Sequence, residues 1–368
     1  MAESITLFLC GDVMLGRGID QILPHPGDPH LRELYVGSAK TYVQLAERVN
    51  GPIAAPVDFS DVWGDALAEL QRAAPHARII NLETSITQSR DYAPKGINYK
   101  MNPENIACLT AAKVDCCALA NNHVLDFGEA GLCETMDALR QAGIRSAGAG
   151  SSAAEAQVPA VIEVTNGGRI LVFAFGCGSS GIPPEWAAER DRPGVNLLRD
   201  LSNRTLAAIT QSAQSARRKG DVLVSSIHWG GNWGYRIGSD EVRFAHGLID
   251  AAGFDVVHGH SSHHPKAIEV YRNRPILYGC GDFINDYEGI GGYEEFRGEL
   301  TLMYFPRLDV ASGKLFEIKL VPLKISRFQL HRASREDAVW LSGILERESA
   351  TFGTHVSLND DNSLAVRW

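Results

Sequence analysis

The sequence predicts a layered α/β protein, with either one mixed sheet or a pair of packed sheets flanked by helices. Three observations predict it. Short apolar runs rich in β-branched residues recur through the chain, amphipathic helical stretches fall between them, and polar residues of metal-ligand character follow directly on several of the runs.

The runs at 5–10, 78–82, 115–120, 170–175, 222–227, 255–257 and 275–278 read as buried strands. The stretch 60–74 reads as a helix, with Ser60 as its cap and Val62, Trp63, Ala66, Leu67 and Leu70 on one face. Segments 129–142 and 241–252 repeat that pattern, and each stops at a glycine, Gly143 or Gly253, which closes a helix in the left-handed conformation with least strain. Residues 20–59 break the rhythm, because prolines at 24, 26, 29, 52 and 56 bracket a single helical segment. A long excursion of this kind commonly serves as a lid. From 326 to 368 a mixed tail follows, with a helix at 335–349 and a final strand. The expected division is a main body at 1–325 and a C-terminal extension at 326–368 packed on the same domain.

A chain of 368 residues with 45% hydrophobic content buries a large core. The formal charge of -9 and pI near 5.7 argue against nucleic acid or an anionic membrane as partner, and leave small molecules or peptides. The start, MAESITLFLCGDVML, lacks the basic region and long apolar run of a secretion signal, and no apolar run is long enough to span a bilayer. A cytoplasmic location is expected. The seven cysteines are scattered, odd in number and without a CxxC pair, so they read as reduced core thiols rather than a disulfide framework or a zinc-thiolate site.

Chemistry is suggested by position. Asp12 follows ITLFLCG, Glu83 follows RIINL, Asn122 and His123 follow CCALAN, His228 follows VLVSSI, and His260 and His263 follow DVVHG. Loops at the carboxyl ends of strands converge on one crevice in α/β sheets, so these scattered side chains are expected to meet. Singly, each has a plainer explanation: Gly11-Asp12 as a turn, Glu83 as a solvated loop carboxylate, Asn121-Asn122 as a turn pair. The stretch HGHSSHH is harder to explain away, because His258, His260, His263 and His264 crowd one glycine-serine loop. Carboxylate, amide and imidazole donors suit Zn, Mn, Fe, Co or Ni. Two cations sharing a bridging carboxylate can activate water, clamp a phosphate or bind a carboxylate, which leaves the reaction open.

At these residues the sequence resembles the CapA family of poly-γ-glutamate capsule synthesis, whose members are similar to calcineurin-type metallophosphoesterases. The resemblance rests on GDVMLGRG (11–18), NLETSIT (81–87), ANNHVLDFGEAGLCETMDAL (120–139), SIHWGGNWGY (226–235), VVHGHSSHHPKAIEVY (256–271) and ILYGCGDFINDY (276–287). It implies two packed mixed sheets flanked by helices, a four-layer α/β/β/α sandwich. It also implies two divalent metal ions: Asp12 and His263 on the first, Glu83 as the bridge, and Asn122, His228 and His260 on the second. His123 would act as general acid or base, oriented by Asp126. Three departures stand out. Met14 occupies the place of the first-site imidazole, Glu83 replaces a bridging aspartate, and His260 and His263 are spaced His-x-x-His.

Within the family, HWGGNWGY and HGHSSHHPK are similar to a subgroup containing a metal-dependent peptide epimerase of lasso-peptide biosynthesis. That resemblance implies inversion at the Cα of the C-terminal residue of a ribosomal precursor peptide, with the cations stabilising the enolate and two acid/base groups moving the proton. His123 is the first such group, and Cys280, His264 or Asp282 is the second. Trp229, Trp233 and Tyr235 would form an aromatic wall for the substrate, unless those rings simply pack the glycine-rich loop, and Asp282 would also bind substrate. The alternatives are a metallophosphoesterase or other metallohydrolase, and a component of poly-γ-glutamate capsule synthesis that binds an anionic polymer.

Overall fold

The computed structural model describes residues 4–164 and 168–368. Strand Ser4–Val13 runs through the middle of a ten-stranded mixed sheet. On one side Ala77–Leu82, Cys116–Ala118 and Arg145–Ala147 follow in parallel; on the other, Leu300–Asp309 and Leu315–Ser326 are antiparallel. The short strand Asp282–Ile284 also pairs in parallel with Ser4–Val13. A second, seven-stranded sheet is built on the parallel strands Arg169–Cys177, Val222–His228, Val256–His260 and Arg274–Leu277.

The two-residue period of a strand shows how the layers stack. In Arg169–Cys177, Ile170, Val172 and Ala174 join the large core shared with the first sheet. The alternate residues Leu171, Phe173 and Phe175 join a second core with Phe244, Leu248 and Ile249 of helix Ser239–Asp250 and Ile209 and Ala213 of helix Asn203–Ala216. The second sheet thus carries a sheet on one face and helices on the other, which is why its strands are apolar throughout. Trp63, Ala66, Leu70, Leu132 and Leu139, from the helical segments that pack on the first sheet, belong to the large core. The architecture is α/β/β/α.

All seven expected runs are strands. Helices Gly128–Gln141 and Ser239–Asp250 are followed by Gly143 at φ 75° and Gly253 at φ 76°, as their sequence required. The stretch 60–74 needs correction. It is a 3₁₀ turn, Asp61–Trp63, then a helix, Asp65–Ala73, and Ser60 is itself in helical conformation and caps nothing. The break is Gly64, at φ 43°, where a Cβ would stand 2.1 Å from the Leu330 carbonyl oxygen. A close approach to a distant segment, invisible locally, overrides the helical pattern.

Helix Arg335–Ser349 starts on Ser334, whose hydroxyl accepts from the Asp337 N–H, and strands His355–Leu358 and Leu364–Arg367 extend the first sheet beside Leu315–Ser326. The excursion at 20–59 contains one long helix, Lys40–Asn50. It is strapped down by Arg17, whose buried guanidinium donates to Asp286 (2.5 and 3.2 Å), to Glu33 (2.9 Å) and to the Tyr42 hydroxyl (2.9 Å). Each of the seven cysteines is free, and among the described residues no helix is long and apolar enough to cross a membrane.

Candidate metal centre

Two carboxylates are brought together by two glycines. A Cβ on Gly11 would fall 1.6 Å from the Gly281 carbonyl oxygen, and Gly281 itself sits at φ 78°. With no side chains between them, the backbones touch, the Asp12 N–H donates to Gly281 (3.0 Å), and Asp12 and Asp282 become register partners. Glu83 follows the neighbouring strand Ala77–Leu82. The Asn81 amide nitrogen donates to Asp12 Oδ1 (2.7 Å) and Glu83 Oε2 (3.3 Å), and its oxygen accepts from Asn121 Nδ2 (3.0 Å). Asn121 Oδ1 then receives the N–H groups of His123 and Val124, which fixes the loop carrying Asn122 and His123.

The second sheet supplies the imidazoles. His228 and His260 are the last residues of adjacent parallel strands and stand in register, with their Nδ1 atoms 2.8 Å apart. His228 Nε2 lies 3.0 Å from Asn122 Oδ1 and 3.9 Å from Glu83 Oε1, and His260 Nδ1 lies 3.9 Å from Asp12 Oδ1. Asp12, His228 and His260 form a group able to hold one metal ion, with donor atoms all within 4.8 Å of one another. His263 sits to the side, its Nδ1 2.8 Å from Asp282 Oδ1, while Asn285 donates to Asp282 Oδ2 (2.8 Å).

Burial opposes charge on every member of this cluster. Burial, reinforced by Asp282, raises Asp12 above the carboxylate range; burial, reinforced by Asp12, does the same to Glu83. Burial pushes His228 and His260 well below the imidazole range, so they are neutral donors of electron pairs. Among the described residues no lysine or arginine pairs with Asp12 or Glu83 within 4.0 Å. Buried carboxylates flanked by neutral imidazoles and an amide oxygen fit divalent metal ions.

His123 stands at the edge of this cluster. Its Nε2 is 3.8 Å from Glu83 Oε1, and its Nδ1 lies 2.6 Å from Asp126 Oδ2 and 3.2 Å from Lys95 Nζ, so Asp126 can hold a proton on Nδ1 and leave the Nε2 electron pair toward Glu83. Burial pushes His123 down to about 4. Lys95, which the sequence reading missed, pairs with Asp126 Oδ1 at 2.8 Å and donates to the Asn122 carbonyl.

The aromatic residues separate. Trp229 is core packing, not wall: it is 2% exposed and donates its indole N–H to the Tyr278 carbonyl. Trp233 lies beside His263, with the ring centroids 5.2 Å apart, and is stacked on Tyr293 at 4.1 Å. Tyr235 packs against His264 (4.6 Å) and Phe296 (5.4 Å). His264, boxed between those rings and fully buried, is directed into the aromatic cluster rather than to the carboxylates. Cys280 is fully buried, with burial and then Asp12 pushing its thiol well above the ordinary range, so it keeps its proton. Tyr293 and Phe296 were missed in the sequence because the loop around them has no periodicity.

The bacterial capsule synthesis protein family PGA_cap matches residues 6–287. A "Probable polyglutamine synthesis accessory protein" of Mycobacterium tuberculosis is 52% identical over 366 residues, covering 99% of this chain and 96% of that one. The "PGA biosynthesis protein CapA" of Bacillus subtilis is 28% identical over 75% of this chain and 62% of its own length. The "Capsule biosynthesis protein CapA" of Bacillus anthracis is 23% identical over 77% and 60%. With the strand-end cluster falling inside the matched span, the chain belongs to the bacterial capsule synthesis (PGA_cap) family.

Proposed function

We propose that this protein is a metal-dependent accessory component of polyglutamate synthesis, engaging the carboxylate-bearing polymer at the crevice between the sheets. The observation that carries the reading is the 52% identity along nearly the whole chain with a polyglutamine synthesis accessory protein. The donor set supports it. Divalent ions held by Asp12, Glu83, Asn122, His228, His260 and His263 would supply concentrated positive charge for anionic oxygens, a charge that a chain of net -9 otherwise lacks.

The surrounding residues do the rest. Asn81 holds Asp12 and Glu83 at a fixed spacing. His123, with its Nδ1 on Asp126, accepts or returns a proton through Nε2, and Lys95 keeps Asp126 in place. Defined glutamate oligomers titrated calorimetrically into the metal-loaded protein are expected to bind saturably, and Glu83→Gln to lose that binding. Full metal content without any oligomer binding would refute the reading.

One observation favours a second reading, Cα inversion at a peptide terminus. The Trp233–Tyr293 stack beside His263 suits a large apolar side chain better than a glutamate. Metal-loaded protein in D₂O should then place one deuteron at the terminal Cα of a suitable peptide. Absence of exchange in peptides ending in Trp, Phe and Leu would eliminate it.

A further inference from the structure

His258, the first histidine of HGHSSHH, is outside the ligand set, yet it is fully buried behind it. It projects from strand Val256–His260 of the second sheet across to the first, where its Nε2 is 2.6 Å from the Cys10 carbonyl oxygen. That carbonyl belongs to the stretch where pairing with Ala77–Leu82 is irregular, between Leu9 and Asp12. A carbonyl only accepts, so the His258 proton is on Nε2. Among the described residues no carboxylate pairs with His258, so a second proton would leave a buried imidazolium uncompensated, and Nδ1 carries an electron pair.

The rest follows by counting protons. His258 Nδ1 lies 3.2 Å from Ser226 Oγ, so the single hydroxyl proton of Ser226 points to His258. Ser226 Oγ is then an acceptor toward its other neighbour, His260 Nε2, at 2.9 Å. His260 therefore carries its proton on Nε2, and its Nδ1 electron pair faces Asp12 Oδ1 and His228 Nδ1. His228 in turn has one proton and two acceptors to satisfy, His260 Nδ1 and Asn122 Oδ1. One of those contacts is left facing electron pair to electron pair, which is where a cation belongs.

We propose that Ser226 and His258 are positioning residues that set the tautomer of His260, so that the metal centre receives Nδ1 and not Nε2. The relay begins at a backbone carbonyl of the opposite sheet, so it also ties the ring orientation of His260 to the packing of the two layers. This deepens the metal-centre reading above and rests on it for its functional meaning, but the proton arrangement itself belongs to the protein without metal.

The test uses the full chain with ¹⁵N-labelled histidine. In metal-free protein, long-range ¹H–¹⁵N correlation should show His260 protonated on Nε2 and unprotonated on Nδ1. Ser226→Ala should abolish that preference and weaken Mn²⁺ or Zn²⁺ binding roughly ten- to a hundredfold by calorimetry, as loss of an orienting partner does. Ser226→Thr, which keeps the hydroxyl, should restore both. His258→Phe is expected to act in the same direction, but it removes a contact between sheets, so Ser226→Ala is the decisive variant. A His260 proton on Nδ1 in the wild type, or Ser226→Ala binding metal as the wild type does, overturns the proposal. If the wild type takes up no divalent metal, the metal-centre reading fails, and the spectrum alone still decides the relay.

Discussion

Replacing Glu83 by Gln should move stability in opposite directions with and without metal. In the metal-free protein burial holds both carboxyls, Glu83 and Asp12, above their ordinary range, reinforced by Asp282 at Asp12 and by Asp12 at Glu83. An acid with a raised folded pKa contributes stability below its unfolded pKa and loses it as pH rises toward the folded one. At neutral pH the pair is therefore a liability, and Glu83→Gln should raise the midpoint of the metal-free protein. Metal reverses this. One ion at about a hundred times its Kd adds about 2.7 kcal/mol. For 368 residues at about 2.1 cal/mol/K each, the unfolding entropy near the midpoint is about 0.8 kcal/mol/K, so the expected rise is about 3 to 4 °C. Differential scanning fluorimetry against Mn²⁺ and Zn²⁺ reads it, and Glu83→Gln should show less than about a third of the wild-type rise. The increment should grow with pH, because ions must displace protons from Asp12 and Glu83. A wild-type protein indifferent to every divalent ion tried, or a variant that responds equally, would refute the reasoning.

Three further outcomes are expected. Gly11→Ala, whose Cβ would collide with the Gly281 carbonyl, should cost roughly 1–3 kcal/mol or more in denaturant unfolding and lower metal content, although it removes no ligand. Arg17→Met leaves Asp286 buried without its partner and should destabilise by about 3–5 kcal/mol, with much of the loss recovered in Arg17→Met/Asp286→Leu and with faster proteolysis within 20–59 in the single variant. Trp233→Ala should weaken binding of peptides with a bulky terminal residue by about three- to tenfold while leaving glutamate oligomers unaffected, the contact being worth about 0.5–1.5 kcal/mol.

What could be read from the sequence was whatever the sequence encodes locally. Strands of the second sheet announce themselves because both faces are buried, and Gly143 and Gly253 mark helix ends through their own backbone preference. Asp12, Glu83, Asn122, His228 and His260 could be picked out because strand ends place them, and the structure does bring them to one edge of the sandwich. What stayed hidden depends on distant partners. Gly64 breaks a helix because of Leu330, and Arg17 finds Asp286 269 positions away. Lys95 reaches Asp126 from a loop without periodicity, and Trp229 and Trp233, four residues apart, go to the core and to the site because Tyr278 claims one and Tyr293 the other.

The cluster draws Asp12, Glu83 and Asn122 from one sheet and its loops, and His228 and His260 from the other. An ion ligated from both would act as a rivet through the sandwich. Sliding one layer past the other by a single residue, about 3.3 Å, would carry half of the donors out of reach. Occupancy would therefore report whether the layers are in native alignment. The residence time of a bound metal would then depend on the apolar packing between the layers as well as on the metal–ligand bonds.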